Sequence, residues 1–467
     1  MSQAAISPLA PRLTPSLRSE WKTTAAHAGT VYIGQLAVMA FSITDTIVTG
    51  RYSDQALAAL SIASSIYISV YVSLMGVLQS LLPVYAELHG AKKHALLGLH
   101  VRQSLYLAVA LIVVGMAVML NPAPMLDWAD VPPEIRPDIE MYMGILAWAL
   151  IPLVGFRMYS SLNQALGKPL LVTWLQVGSL ALKIPLTIWL CFGGAGVSPM
   201  GVVGCAWATF CVNWMMLGLA ILMLRTQPLY TPLVLFKAME GPDWPLIGRF
   251  ARVGLPGGLA YLVEITSFTL MALFIARMGV LPSAAHQIAS NVAGSMFMAP
   301  LSLGVAYSAR CSYWIGAGQP HLATRVARMG IVTTVLWCCT IALLCALFAT
   351  PIASLYSSNP AVVALGASLL VWTAVYHAAD GTQTVCAFLL RSWYVTLTPL
   401  LVYAVLLWGV GLWGGYLLAY QGIGSIAAMH TPQAFWIAGT VAIAAVALVF
   451  LAIFARATRK TQAIYKK

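Results

Sequence analysis

Long apolar runs separated by short polar segments make up almost the whole chain. Twelve of them occupy 27–50, 57–85, 103–121, 141–164, 169–192, 201–224, 254–277, 283–308, 331–350, 361–390, 399–420 and 432–456. A helix rises about 1.5 Å per residue, so each run is long enough to cross most or all of a hydrocarbon layer about 30 Å thick. The pattern predicts twelve transmembrane helices. Polar stretches divide the chain further: a cytoplasmic tail over 1–26, a connector over 225–253 and a basic cytoplasmic tail over 457–467. The connector contains Pro228, Pro232, Pro242 and Pro245 and reads as a hinge strap on the cytoplasmic side. Residues 1–26 have no apolar core, so they are expected to be a tail rather than a cleaved signal peptide.

The two sides of the connector repeat each other. A shift of 226 places Ile62-Ala63-Ser64 on Ile288-Ala289-Ser290, Gly90-Ala91 on Gly316-Ala317 and Arg102 on Arg328. A shift of 230 places Pro169-Leu170-Leu171 on Pro399-Leu400-Leu401. With an even number of spans on each side, this predicts two parallel, pseudo-symmetric six-helix bundles, 27–224 and 254–456, with a substrate path between them.

Composition excludes a soluble fold. The chain of 467 residues is 60% hydrophobic and 8% charged, with mean hydropathy +0.86. Its net charge of +12 does not point to nucleic acid, because the basic residues lie between apolar spans and act as topology signals. Segments on one side of the spans hold most arginines and lysines, while the other side keeps only Arg51, Arg136 and Arg277. That bias predicts cytoplasmic N- and C-termini. The eight cysteines form no CxxC pair and read as small buried hydrophobes.

Candidate chemistry follows from thirteen acids, of which Asp45, Glu264 and Asp380 fall at membrane depth. An ionised acid in hydrocarbon costs about 2.5–3.5 kcal/mol or more, so each is expected to face a cavity or a partner. Glu264 sits ten residues into the span beginning at Gly254, and Asp380 ten residues from the end of the span at 390. Both depths are about 15 Å from the cytoplasmic face, which places the two acids together as one candidate cation site. Tyr376 and His377 precede Asp380 by one turn, and Gln383 and Thr384 follow it by one. Acid, amide and hydroxyl oxygens suit either sodium, held by Glu264 and Asp380, or a proton relay. His377 reads equally as a residue satisfied within the bundle, and Gln287 either reaches the cavity or ends a helix.

Asp45 lies about 8 Å below the outer end of its span, and Lys183 about 14 Å below the outer end of the fifth. A buried ammonium needs an anion, and Asp45 is the intramembrane acid of that half, so the two are expected to pair. A purely structural ion pair is the competing reading. Between spans three and four, Asp127, Asp130, Glu134, Asp138 and Glu140 form an acidic loop against Arg136, either a rim that draws cations or a solvated loop.

ITDTIVTG at 43–50, ALAALSIASSIY at 56–67, GLPGGLAYLVEITSF at 254–268, AADGTQTVCAFLLRSWYVT at 378–396 and GYLLAY at 415–420 resemble the multidrug and toxic compound extrusion (MATE) transporters, NorM-type bacterial branch. The resemblance covers essentially the whole chain. It implies two six-helix lobes around a V-shaped cavity, and export of bulky cationic drugs driven by an inward gradient of sodium or protons. By matching motif, Glu264 and Asp380 correspond to the family's C-lobe cation site and Asp45 to its N-lobe acid. Ser65 and Gln287 match cavity positions near bound drugs. The fifth span departs from the pattern: LALKIPLTIW, with Lys183 and Thr187, stands where many relatives have two asparagines. A lysine there would act as a fixed cation beside Asp45, which moves the expected coupling site to Glu264 and Asp380.

The chain is thus expected to be a monomeric antiporter of the bacterial inner membrane, with no cofactor beyond its coupling ion and no enzymatic activity. Its cargo would be cationic and amphipathic drugs, with Asp45 also on the cavity side. A flippase for lipid-linked oligosaccharides or lipid precursors is the alternative, and Lys183 is the residue that favours it. An intramembrane transferase would want clustered carboxylates such as DDxxD, which the sequence lacks.

Overall fold

The computed structural model describes residues 16–128, 131–194 and 196–464. Among them, twelve helices are long and apolar enough to span a membrane. They are α1 Leu17–Tyr52, α2 Asp54–Gly90, α3 His94–Met119, α4 Arg136–Ala165, α5 Pro169–Phe192 and α6 Val202–Thr226, followed by α7 Trp244–Ala276, α8 Val280–Gly316, α9 Pro320–Leu347, α10 Pro360–Ser392, α11 Leu397–Tyr420 and α12 Gln433–Arg459. Residues of α1 to α6 supply nearly all of one buried apolar core, and residues of α7 to α12 supply another. The two bundles meet where α2 crosses α7 and where α1 and the second part of α2 pack on α8.

Two helices break their regular winding. In α2 the break falls at Ser80. In α11, Ala404–Trp413 opens into wider π turns, which leave Leu407 and Gly411 on a cavity wall.

The expected boundaries shift where polar residues continue a helix. The stretch assigned to a tail over 1–26 is helical from Leu17, capped by Ser16, which accepts from the Ser19 amide at 3.2 Å. This extension docks: Glu20 is 2% exposed, accepts from Arg310 Nε and Nη2 at 2.6 Å each and from Trp314 Nε1 at 3.1 Å. Likewise α7 begins at Trp244, inside the expected connector, with Asp243 as its cap. A count of membrane-compatible residues misses both extensions, because helices continue past the hydrocarbon when a cap and a partner stabilise them. The rest of the connector is tied down: Arg102 holds the Glu240 carboxylate at 2.8 and 2.7 Å.

Among the described residues, the hydrogen bonds and ion pairs that join the two bundles directly lie at one end of the molecule. Besides Glu20 with Arg310 and Trp314, Tyr394 donates to Glu87 at 2.5 Å. The helices touch by backbone there: a Cβ on Gly90 would lie 2.0 Å from the Tyr313 carbonyl oxygen, and one on Gly316 1.8 Å from that of Glu87. No rotamer change relieves such a contact, so only glycine permits this crossing.

Candidate functional site

Asp380 and its neighbours are organised by helical spacing and one partner from α11. Gln383, three residues on, donates to Asp380 Oδ1 at 2.9 Å and lies 3.1 Å from Thr384 Oγ1. Tyr403 of α11 donates to Gln383 Oε1, so hydroxyl, amide and carboxylate form one chain. Asp380 is 5% exposed and Gln383 fully buried. The residue after the acid must be small, because a Cβ on Gly381 would lie 2.2 Å from Cys338 Sγ and 3.2 Å from Pro300 Cγ.

Glu264 approaches from α7, within electrostatic reach of Asp380 and Arg391. It borders two small cavities. The first, about 30 Å³, is lined also by Ser267, Tyr376, Gly411 and Trp436. The second, about 10 Å³, is lined also by Tyr261, Thr384, Arg391 and Tyr403. The first is large enough for a water or a bare monovalent cation, and the second is at the lower limit for one. Among the described residues the Glu264 carboxylate accepts no hydrogen bond, whereas Asp380 is held by Gln383.

The expected constellation of Glu264, Asp380, Tyr376, Gln383 and Thr384 is therefore brought together. His377 is not part of it. Its ring is 2% exposed, and Nε2 has no hydrogen-bond partner among the described residues. Its position one residue after Tyr376 turns it about 100° around the helix.

In the first bundle Lys183 meets Asp45 at 2.7 Å. The ammonium also donates to Thr209 Oγ1 at 2.7 Å and reaches the Cys205 carbonyl at 3.4 Å. Three acceptors thus face three ammonium protons. Thr187 Oγ1 lies 3.5 Å from Asp45 Oδ1. Lys183 is fully buried, which makes this a desolvated and internally completed pair.

Ser65 and Gln287 are exposed on α2 and α8, helices that meet across the boundary between the bundles, and among the described residues their side chains bond only within their own helices. Ser65 donates to the Ser61 carbonyl at 2.8 Å, and Gln287 to Asn291 Oδ1 at 3.3 Å. In the acidic loop Arg136 pairs with Asp127 at 2.6 Å, and Asp130 lies outside the described residues.

Sequence reasoning passed over Arg391, Tyr261, Tyr403 and Thr209. Arg391 reads in sequence as a charge ending a span, yet it is 7% exposed, with Cζ 4.7 Å from the Phe388 ring centre and 5.3 Å from that of Tyr261. Its signal was its place one residue past the apolar run, which fits either a surface anchor or a buried group.

Comparison with known proteins is consistent across sequence and fold. The MatE family model matches residues 31–189 and 256–417. A protein of Aromatoleum aromaticum described as "Probable multidrug resistance protein NorM" is 33% identical over 416 residues, 89% of this chain and 90% of that one. "Multidrug resistance protein PmpM" of Pseudomonas aeruginosa is 33% identical over 403 residues, 86% of this chain and 84% of its own. The fold matches a crystal structure of "MATE in the bent conformation" with TM-score 0.86 at 15% identity, covering 96% of this chain and 97% of that one. It also matches that of the "eukaryotic MATE transporter AtDTX14", with TM-score 0.84 at 19% identity, covering 96% and 99%.

Proposed function

The chain belongs to the MatE family, and on that premise we propose that it exports bulky, mostly cationic drugs in exchange for sodium ions or protons. The relatives named for multidrug resistance support drugs as cargo. One observation supports cation coupling above the rest: Glu264, free of hydrogen bonds among the described residues, borders a cavity of about 30 Å³ lined also by Tyr376, one turn from Asp380. Coupling needs a site whose occupancy biases two conformations, because a ligand of equal affinity for both shifts nothing. Two carboxylates at one depth, on helices of one bundle, meet that need. Ionised together they repel, so a sodium ion or a proton between them draws α7 and α10 into a different packing. Gln287 and Ser65 then serve as drug contacts on the facing helices.

The bias of basic residues supports an orientation with both termini cytoplasmic. By that orientation, the end closed by Glu20–Arg310 and Tyr394–Glu87 is the cytoplasmic one. Alternating access then requires these contacts to break whenever the path opens to the cytoplasm. The flippase reading loses its main support, since the Lys183 ammonium is consumed by Asp45 rather than free to hold a diphosphate.

The decisive test reconstitutes the protein in liposomes and follows ethidium or tetraphenylphosphonium efflux under a sodium gradient alone, then a proton gradient alone. At least one gradient should drive efflux, which the Glu264→Gln, Asp380→Asn double variant abolishes. Full transport by that variant would exclude these acids as the coupling site.

A further inference from the structure

Arg391 borders the same small cavity as Glu264, together with Thr384 and Tyr403. It is nine-tenths buried, and its Nη1 has no hydrogen-bond partner among the described residues. A guanidinium keeps its charge under all physiological conditions, and a buried N–H without an acceptor costs about 1–3 kcal/mol. The aromatic faces of Phe388 and Tyr261, at 4.7 and 5.3 Å, hold its charge by cation–π attraction but leave Nη1 without an acceptor. Among the residues lining this cavity, Glu264 is the carboxylate, and it accepts no hydrogen bond among the described residues. Gly257 of α7 leaves room at this crossing: a Cβ there would lie 2.7 Å from Ser80 Oγ and 3.9 Å from Arg391 Cζ.

We propose that Arg391 is a built-in competitor of the coupling cation. Lining the same cavity as Glu264, its guanidinium competes with the cation for that carboxylate and takes it once the cation leaves, so that release is fast enough for turnover. It is a positioning residue that acts through Glu264, and the proposal rests on the reading of Glu264 and Asp380 as the coupling site. The groups facing Arg391 and Glu264 are Asp380, Tyr376 and Tyr403, with Tyr261 and, beyond it, Arg157. Apart from Glu264, Asp380 is the only carboxylate among them, so it alone offers Arg391 another anionic partner.

The test uses the full-length protein in proteoliposomes. It measures the sodium concentration for half-maximal efflux at fixed pH, and the pH of half-maximal efflux without sodium. Removing a unit charge one small cavity away changes cation affinity by about tenfold. Arg391→Gln should therefore bind the cation about tenfold more tightly and show a lower maximal rate, because release becomes limiting. Arg391→Lys should stay within threefold of the parent in both. Arg391→Met, which keeps most of the apolar bulk between Tyr261 and Phe388, is the second neutral variant. The effect must vanish in a Glu264→Gln background, read there as the sodium-induced rise in melting temperature. Half-saturation within twofold of the parent in both neutral variants overturns the proposal, as does misfolding of both. If instead Glu264→Gln leaves the parental cation dependence intact, the coupling site itself is misassigned, a separate failure.

Discussion

In the first bundle the membrane-depth carboxylate of Asp45 meets an ammonium at 2.7 Å, and that ammonium is completed by Thr209 and Cys205. In the second, Glu264 borders open cavities, Asp380 is steadied only by a neutral amide, and the nearby guanidinium of Arg391 rests on aromatic rings. Each half has an acid and a base at the site, but only the first joins them in an ion pair. A closed buried pair answers poorly to ions, because a new cation must displace a charge with matched acceptors and no solvent. An acid beside a void answers readily. If the proposed coupling holds, the difference puts ion sensing in the second bundle and a fixed ion pair in the first, although both acids look alike in sequence.

The comparison breaks most visibly on the acids. Glu264→Gln and Asp380→Asn are each expected to abolish gradient-driven efflux while the protein stays folded and binds drug. Asp45→Asn should weaken drug affinity more than coupling. Proteoliposome efflux beside fluorescence binding separates these outcomes, and equal loss of coupling in all three would dissolve the distinction between the halves.

Next in size is the closed pair. Lys183→Met strands a buried carboxylate and should cost about 3–5 kcal/mol of stability, unless the acid takes up a proton. Adding Asp45→Asn should recover most of that loss. A thermal-melting cycle over the four variants measures it, and strictly additive losses would show that the two do not interact.

A smaller effect is expected where the bundles meet. Glu20→Gln leaves Arg310 without its counter-ion, and Gly90→Ala drives a methyl group into the Tyr313 carbonyl. Both should loosen the closed end, raising amide hydrogen exchange around Gly90 and Gly316 by about tenfold. Rapid labelling of an Arg325→Cys reporter in intact cells by an impermeant reagent would reverse the assigned orientation.

The smallest effect concerns the connector between the bundles. The Arg102 guanidinium hydrogen-bonded to Glu240 holds that carboxyl down at about 2, below its ordinary 4.5. A carboxyl depressed on folding stabilises above its unfolded value and loses that contribution as pH falls, here between about 4.5 and 2. Protease cutting of the connector should increase over that window in the parent, and Glu240→Gln should remove the dependence.

Much of this follows from the sequence alone, for a physical reason. A helix has a fixed rise and turn, so the run of apolar residues gives the spans, and a position within a span gives depth. The shared depth of Glu264 and Asp380 and the i,i+3 relation of Asp380 to Gln383 need nothing more. The Asp45–Lys183 pair was legible by elimination, since a buried ammonium needs an anion and its half offers one. What neighbouring helices bring could not be read this way. Thr209 reaches Lys183 from α6, Tyr403 reaches Gln383 from α11, and Glu20 reaches Arg310 from beyond the expected end of a span. Arg391 shows the limit most clearly. In sequence it is one basic residue at the end of an apolar run, indistinguishable from an anchor in the headgroups. Only the crossing of α2, α7 and α10 buries it against Tyr261 and Phe388 beside Glu264, because burial belongs to surfaces in contact and not to a position along one helix.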